Sequence, residues 1–472
     1  MGFEIFGFVF IALISIFGSF LLFKKFYIIE IFNIICSFLS IIFVFKTYSN
    51  SQSIDYIYHL KLIDPYLGLS FAIDGMSKIF SIVIATLWFA TNIYSSCYIR
   101  DHPNKKIFYI FVSFAIFNAF AISVSHDLLT SFCFYELLTI STIPLLMLGQ
   151  DNKKSLKTYL FILMFTSIGI FLPGVIITYG NFDYANSIGH DFAVSPTLLV
   201  IIFLFGIGKM AMMPFHKWLP SAMIAPTPVS ALLHAVAVVK SGIFIFLRVL
   251  VYVIGLEQLR QAQYSILANY IACTTIVLSS LIALKEIKIK KVLAYSTISQ
   301  LGYMVMVATI YTPQAIRIAL LHFIMHAFSK IILFYGAGAI KRIAGIDNIN
   351  NLNGLFFRFP ALVICFTIAA FSIIGLPLTF GMWSKFYILN QAMINGYYHI
   401  IVIMFISTIL NIRYLGGMLI KMYYKTSKIT DISVIHNMEY KWLVGPMVLC
   451  SIITVGLFFM IDKIMLILSF GF

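Results

Sequence analysis

The sequence predicts an all-α, polytopic membrane protein with about fourteen transmembrane helices. Three observations predict it. Of 472 residues, 61% are hydrophobic and only 10% charged, with a mean hydropathy of +1.00, whereas a soluble domain carries about a quarter charged residues. Apolar runs of roughly twenty residues recur from end to end, each long enough to cross a bilayer; a transmembrane barrel would show short alternating segments instead. Finally, the basic residues alternate between successive connections.

The first predicted helix, 2–23, opens MGFEIFGFVF with no basic n-region. It lacks the front end of a secretory signal peptide and is read as a retained helix. The second, 26–45, follows Lys24 and Lys25, and the longest connection, 46–75, leads to 76–98. Helices 107–124 and 128–148 come next, then 157–179 after three lysines. The connection 180–196 precedes 197–213, and PFHKWLP (214–220) separates that helix from 229–254. Helices 265–284, 292–310 and 314–341 flank a basic run, Lys285 to Lys291. The last three are 359–391, 397–424 and 442–467, with the connection 425–441 before the final one. No low-complexity linker or soluble domain appears, so 1–472 reads as one transmembrane domain.

The 32 Lys and Arg residues test this count. Twenty fall in odd-numbered connections, among them Arg100, Lys105, Lys106, Lys217, Lys288, Lys290, Lys291, Lys341 and Arg342. Seven fall in even-numbered connections, the tail or helix edges: Lys46, Lys61, Lys78, Arg248, Arg260, Arg317 and Lys463. By the positive-inside rule, the odd connections face the cytoplasm and both termini face the other side of the cell inner (plasma) membrane. The net charge of +15 is thus a topology signal, and no nucleic-acid partner is expected; the lipid bilayer is.

Two predicted helices are interrupted. The seventh contains Gly206 and Gly208 and ends at Pro214 in PFHKWLP; the twelfth contains Gly375, Pro377 and Gly381. Proline removes a backbone donor and glycine loosens a helix. Backbone groups freed inside a membrane must be satisfied by protein or water. The breaks lie five helices apart, so their helices cross in opposite directions. Paired breaks of this kind point to a transport site between inverted repeats.

Ionisable residues lie inside the predicted spans. A charge at a helix centre costs about 2.5–3.5 kcal/mol on insertion scales, so such groups face a bundle interior or water and read as a functional path. Glu136 is the acid nearest the middle of any predicted helix. Lys209 lies on the interrupted seventh helix and Lys240 about eleven residues into the eighth, with His234 six residues before it. Desolvated lysine exchanges protons readily. His322, His326 and Lys330 recur every four residues and so share one face of the eleventh helix. A relay suits them better than a metal site, because Lys330 is a cation and no carboxylate lies nearby in sequence. Lys385 lies on the second interrupted helix, and Arg413 is read as structural.

No redox or nucleotide signature appears. GIGKMA and GAGAIK lack the GxGxxG spacing, there is no P-loop, and no CxxCH. The six cysteines are scattered with no CxxC pair, so they read as small apolar packers. No cofactor and no metal are expected, and any work must draw on an ion gradient or a partner.

FYEL (134–137), GKMAMMPFHKWLPSAMIAPTPVSALLHAVAVVKSGIFIFLRV (208–249), KKVLAYSTISQLGYM (290–304), HFIMHAFSKIILF (322–334) and GLPLTFGMWSK (375–385) resemble the antiporter-like subunits shared by respiratory complex I and the multisubunit Mrp sodium/proton antiporters. The resemblance covers about residues 70–425. It implies fourteen helices with two inverted five-helix repeats, helices four to eight (106–254) and nine to thirteen (265–424). It also implies that Glu136, Lys209, Lys240, His322, His326, Lys330 and Lys385 form a horizontal polar axis for protons, joined to both surfaces by water-filled half-channels. His216, His234, Pro214, Gly375 and Pro377 are expected to support it. The segment 126–145 and a lysine at 385 bring the chain nearer the D-type Mrp subunit, with a proton-pumping subunit of NADH:quinone oxidoreductase as the alternative and a non-conducting scaffold as a third reading. Expected partners are other membrane subunits, protons and, as candidate cargo, sodium ions.

Overall fold

The computed structural model describes residues 6–21, 26–50, 58–63, 67–149, 153–178, 194–263, 265–424 and 437–469. The predicted connections 180–196 and 425–441, with Lys425 and Lys428, fall largely outside them, as do Lys24 and Lys25. Among the described residues, ten helices are long and apolar enough to cross a membrane, and three shorter apolar helices accompany them. The helices are α1 (Gly7–Leu21), α2 (Phe26–Asn50), α3 (Gly75–Tyr98), α4 (Lys105–Val124), α5 (Leu128–Met147), α6 (Lys153–Ile177), α7 (Pro196–Gly206) and α8 (Thr227–Ile254). They continue with α9 (Leu267–Lys285), α10 (Ile289–Ala308), α11 (Pro313–Ala344), α12 (Pro360–Ile374), α13 (Phe380–Ile394), α14 (Tyr398–Tyr423), α15 (Asn437–Phe459) and α16 (Ile461–Ser469).

Burial separates centre from rim. The apolar window of α11 is 94% buried and that of α8 89%, against 33% for α2, α6 and α14. The two helices richest in predicted site residues therefore form the middle of the bundle, where protein rather than lipid surrounds a charge.

Both predicted interruptions are real breaks. After Gly206, α7 gives way to one tight turn, Gly208–Met210, and Ala211 takes a left-handed conformation with φ 53°. The chain then passes through consecutive turns over 213–217 to Trp218, whose Nε1 donates to the Gly208 carbonyl at 2.9 Å. The twelfth predicted helix is two helices. Gly375 ends α12 with φ 92°, a conformation that costs glycine little. The start of α13 then crosses the end of α12 so closely that a Cβ on Gly381 would fall 1.7 Å from the Ser372 carbonyl oxygen.

The structure adds one element within the predicted connection 46–75, and the chain remains predominantly helical. Tyr58–Ile63 (β1) and Leu67–Phe71 (β2) form an antiparallel hairpin. It sits over the corner between α4 and α5: Ala72 N donates to Val124 O at 2.8 Å and His126 N to Ser70 O at 2.8 Å. Asp127, the N-cap of α5, accepts from Ser70 N at 3.1 Å.

Arg248, counted above as a helix-edge charge, is buried. Its guanidinium donates to Asp74 at 2.7 Å, to the Ser77 hydroxyl at 2.8 Å and to the carbonyls of Ser123 and Ser125. Asp74 is also the N-cap of α3, accepting from Ser77 N at 2.6 Å. One carboxylate thus caps α3 and ties it to α8. Removing one partner of a buried pair strands the other charge and costs about 3–5 kcal/mol. Asp74→Ala should therefore lower the thermal unfolding midpoint in detergent markedly. Asp74→Asn, which keeps the cap, should lower it less; an unchanged midpoint for Asp74→Ala would refute the tie.

Candidate functional site

The site begins on α5 at Tyr135 and Glu136. The tight turn after α7 brings Lys209 against them: Lys209 N donates to the Tyr135 hydroxyl at 3.2 Å. Its ammonium donates to the Tyr135 carbonyl and lies 3.4 Å from the ring centroid. Lys209 is fully buried. Glu136 makes no ion pair with Lys209, and its Oε1 is buried without a partner among the described residues. The lysine is held by a carbonyl dipole and an aromatic face, with the carboxylate beside it and not bonded to it.

α8 runs past this turn; a Cβ on Gly242 would lie 3.0 Å from Lys209. Two residues earlier, Lys240 turns toward α11. Its Nζ is 2.6 Å from His326 Nδ1 and donates to the Phe323 carbonyl at 3.2 Å. Two cations cannot share a contact of 2.6 Å in a buried site. The pair therefore holds one excess proton at a time, with Lys240 donating and His326 Nδ1 accepting in one arrangement.

His322, one turn away on α11, meets α10 and α13. Its Nε2 is 3.1 Å from Gln300 Oε1 on α10, and its Nδ1 is 3.1 Å from the Ser384 hydroxyl on α13. Tyr303 stacks on it with centroids 5.5 Å apart. The Lys385 ammonium, 5.4 Å from the Tyr303 centroid, donates to the Ile374 carbonyl at 2.7 Å and to the Thr408 hydroxyl at 3.2 Å. It thus caps the open end of α12, where the helix dipole favours a cation. Each broken helix carries one lysine at its break.

The column His322–His326–Lys330 shares a helix but not a partner. Lys330 turns to α10 and donates to the Leu293 carbonyl at 3.2 Å. His234, in a π-helical turn of α8 (Leu232–Val236), packs at a tilt against Phe334, and neither ring nitrogen has a partner among the described residues. His216 rests against Tyr295, 6.2 Å between centroids, outside the row. Pro214 and Pro377 are exposed, and Gly375 forms the second break. Arg413, read above as structural, is exposed instead.

Several buried polar atoms along this row lack a protein partner among the described residues: Glu136 Oε1, both nitrogens of His234, Gln300 Nε2 and His326 Nε2. Buried polar groups are otherwise almost always bonded, so these atoms are natural seats for water. Sequence reasoning missed Tyr135, Gln300, Tyr303, Ser384 and Thr408. Their signal was available in part: KKVLAYSTISQLGYM carries more hydroxyls and amides than a helix facing lipid would.

A cavity of about 790 Å³ opens where the ends of α3, α5, α8, α10 and α11 meet, lined by Lys217, Lys288, Lys290, Lys291 and Lys341 among others. Lys290 reaches across it to the Ala225 carbonyl at 2.6 Å.

The family model described as NADH:quinone oxidoreductase/Mrp antiporter, transmembrane, matches residues 125–411. A protein of Staphylococcus aureus strain JH9, provisionally named antiporter subunit mnhA2, is 33% identical over 352 residues, covering 69% of this chain. The chain spans only 43% of that relative's length. Among solved structures, a chain of the membrane-bound sulfane sulfur reductase, an archaeal respiratory membrane complex, superposes with a TM-score of 0.83 at 22% identity, covering 98% of this chain and 96% of that one. A chain of the Mrp complex from Dietzia sp. DQ12-45-1b superposes with a TM-score of 0.82 at 17% identity, covering 100% and 97%. The two structural likenesses show the shared fold, and the family match over residues 125–411, more than half of the chain, establishes that it belongs to the NADH:quinone oxidoreductase/Mrp antiporter transmembrane family.

Proposed function

We propose that this chain is the proton- or cation-translocating membrane subunit of a multisubunit Mrp-type cation/proton antiporter. One observation carries the reading: the Lys240–His326 contact at the centre of the bundle, flanked by Lys209 and Lys385 at the two helix breaks. Protons would enter from one surface, titrate the row Lys209–Lys240–His326–His322–Lys385, and leave on the other. Glu136 biases the charge of Lys209 from beside it, and Lys330 and His234 serve the cytoplasmic approach. The basic cavity supports an aqueous mouth on that face.

The breaks support inverted repeats over 106–254 and 265–424, within about fourteen spans. The alternation of basic residues supports both termini on the non-cytoplasmic side of the cell inner membrane. The D-type assignment rests on the segment 126–145 and Lys385, although the relative quoted above carries an A-type name. Partner subunits are supported by the two structural neighbours, both titled as complexes. The family description supports a second reading, a proton-pumping subunit of NADH:quinone oxidoreductase.

Reconstitution of the assembly into proteoliposomes separates the readings. Antiport predicts collapse of an imposed pH gradient on adding sodium or another monovalent cation, without an electron donor. Proton movement only with NADH and a quinone would favour the second reading, and none under either condition would favour a scaffold.

A further inference from the structure

Arg413 lies in the π-helical turn Ile412–Gly416 of α14. At 1.5 Å rise per residue it sits roughly 4 Å from the middle of that helix and roughly 15 Å from its end at Tyr423. Its side chain is exposed. Phe405, Ile409 and Ile420, eight and four residues before it and seven after, lie on the same face; they are 66%, 63% and 70% exposed. Arg413 makes no hydrogen bond or ion pair with any described residue.

This placement is physically incomplete. A guanidinium stays charged and presents five donors. Hydrocarbon offers no acceptor, and from near mid-depth the stem does not reach the headgroups. Charged residues in spans normally face a protein or aqueous interior. On the inner face of α14, Tyr414 bonds Asn411 and donates to the Ser296 hydroxyl at 3.0 Å; Ser407 Oγ and Asn411 Nδ2 are buried there without a partner among the described residues, and neither is an acid that could pair with a guanidinium. A π-helical turn re-aims the side chains around it and often marks a functional position. The chain's own mid-depth acid, Glu136, belongs to the site described above. A second copy docked symmetrically on this face would therefore oppose Arg413 with Arg413.

We propose that this face of α14 docks a transmembrane helix of a different subunit, and that this helix presents an aspartate or glutamate to Arg413. The inference rests on the reading that the chain works beside other membrane subunits, and it does not require that protons move.

The test uses the full assembly, purified through a tag on this chain from cells making all companions. Arg413→Leu suits the surrounding apolar stripe, so it should insert normally yet recover a companion at about one-tenth of the wild-type level or less; Arg413→Lys should retain most of it. A photo-crosslinking residue at Ile409 should yield an adduct with a transmembrane peptide containing Asp or Glu. That adduct should vanish in Arg413→Glu and return when the partner's acid is changed to lysine. Full recovery of companions by Arg413→Leu, or adducts only with lipid or with peptides lacking an acid, would overturn the proposal. If Arg413→Leu assembles fully while Glu136→Gln stops transport, this inference fails and the proton-path reading stands.

Discussion

Glu136→Gln and Lys209→Ala are each expected to cut proton-coupled transport by the reconstituted assembly about a hundredfold, equivalent to ~2.7 kcal/mol at the limiting step. Lys209 is fully buried, and among the described residues its ammonium meets only a carbonyl and an aromatic face. On the proposed path, the Glu136 carboxyl beside it biases whether its ammonium is tolerated. Moving one charge across 100 mV is worth about 2.3 kcal/mol, the same scale as the expected loss. Lys209→Arg separates charge from exchange. Arginine keeps the cation but does not release its proton, so that variant should assemble and still fail to transport. Near wild-type flux in an assembled Glu136→Gln or Lys209→Ala protein would refute the role given to them.

The second large effect concerns the centre. Lys240→Ala and His326→Ala should each lower flux at least about tenfold, and the double variant should be little worse than either single. Groups that share one proton act as a unit, and units are strongly non-additive. Flux losses that multiply in the double variant would mean that the 2.6 Å contact is packing and not a shared proton site.

Much of this site was legible in the sequence, for identifiable reasons. Lysine inside an apolar run is a costly choice that stands out in composition alone, and Gly375–Pro377 punctuates a helix whatever its surroundings. The spacing of His322, His326 and Lys330 fixed their common face correctly. Spacing cannot say which neighbour a face meets, however, and the three residues go to α10 and α13, to α8, and to α10 alone. The partner carbonyls of Tyr135 and Ile374 were invisible for the same reason, since every residue has a carbonyl and only tertiary packing selects one. Arg248 was misjudged because a charge near a helix edge looks like an interfacial residue until Asp74 arrives from another helix. The hairpin could have been anticipated: YHLKLI and LGLSF are short β-prone runs on either side of DPY, a turn-forming triplet. The prevailing helical pattern hid them.

The central claim is that these buried groups share a continuous thread of water at mid-depth. Hydroxyl-radical footprinting of the assembly in lipid nanodiscs, read by mass spectrometry, tests it most directly, because radicals generated from water oxidise the side chains that water touches. The account predicts labelling of His234, His326, Tyr303 and Tyr135 despite their burial, above that of Phe165, exposed on the apolar rim helix α6. Unlabelled histidines and tyrosines in this row, in a preparation whose exposed Tyr424 is readily oxidised, would mean a dry core and contradict it.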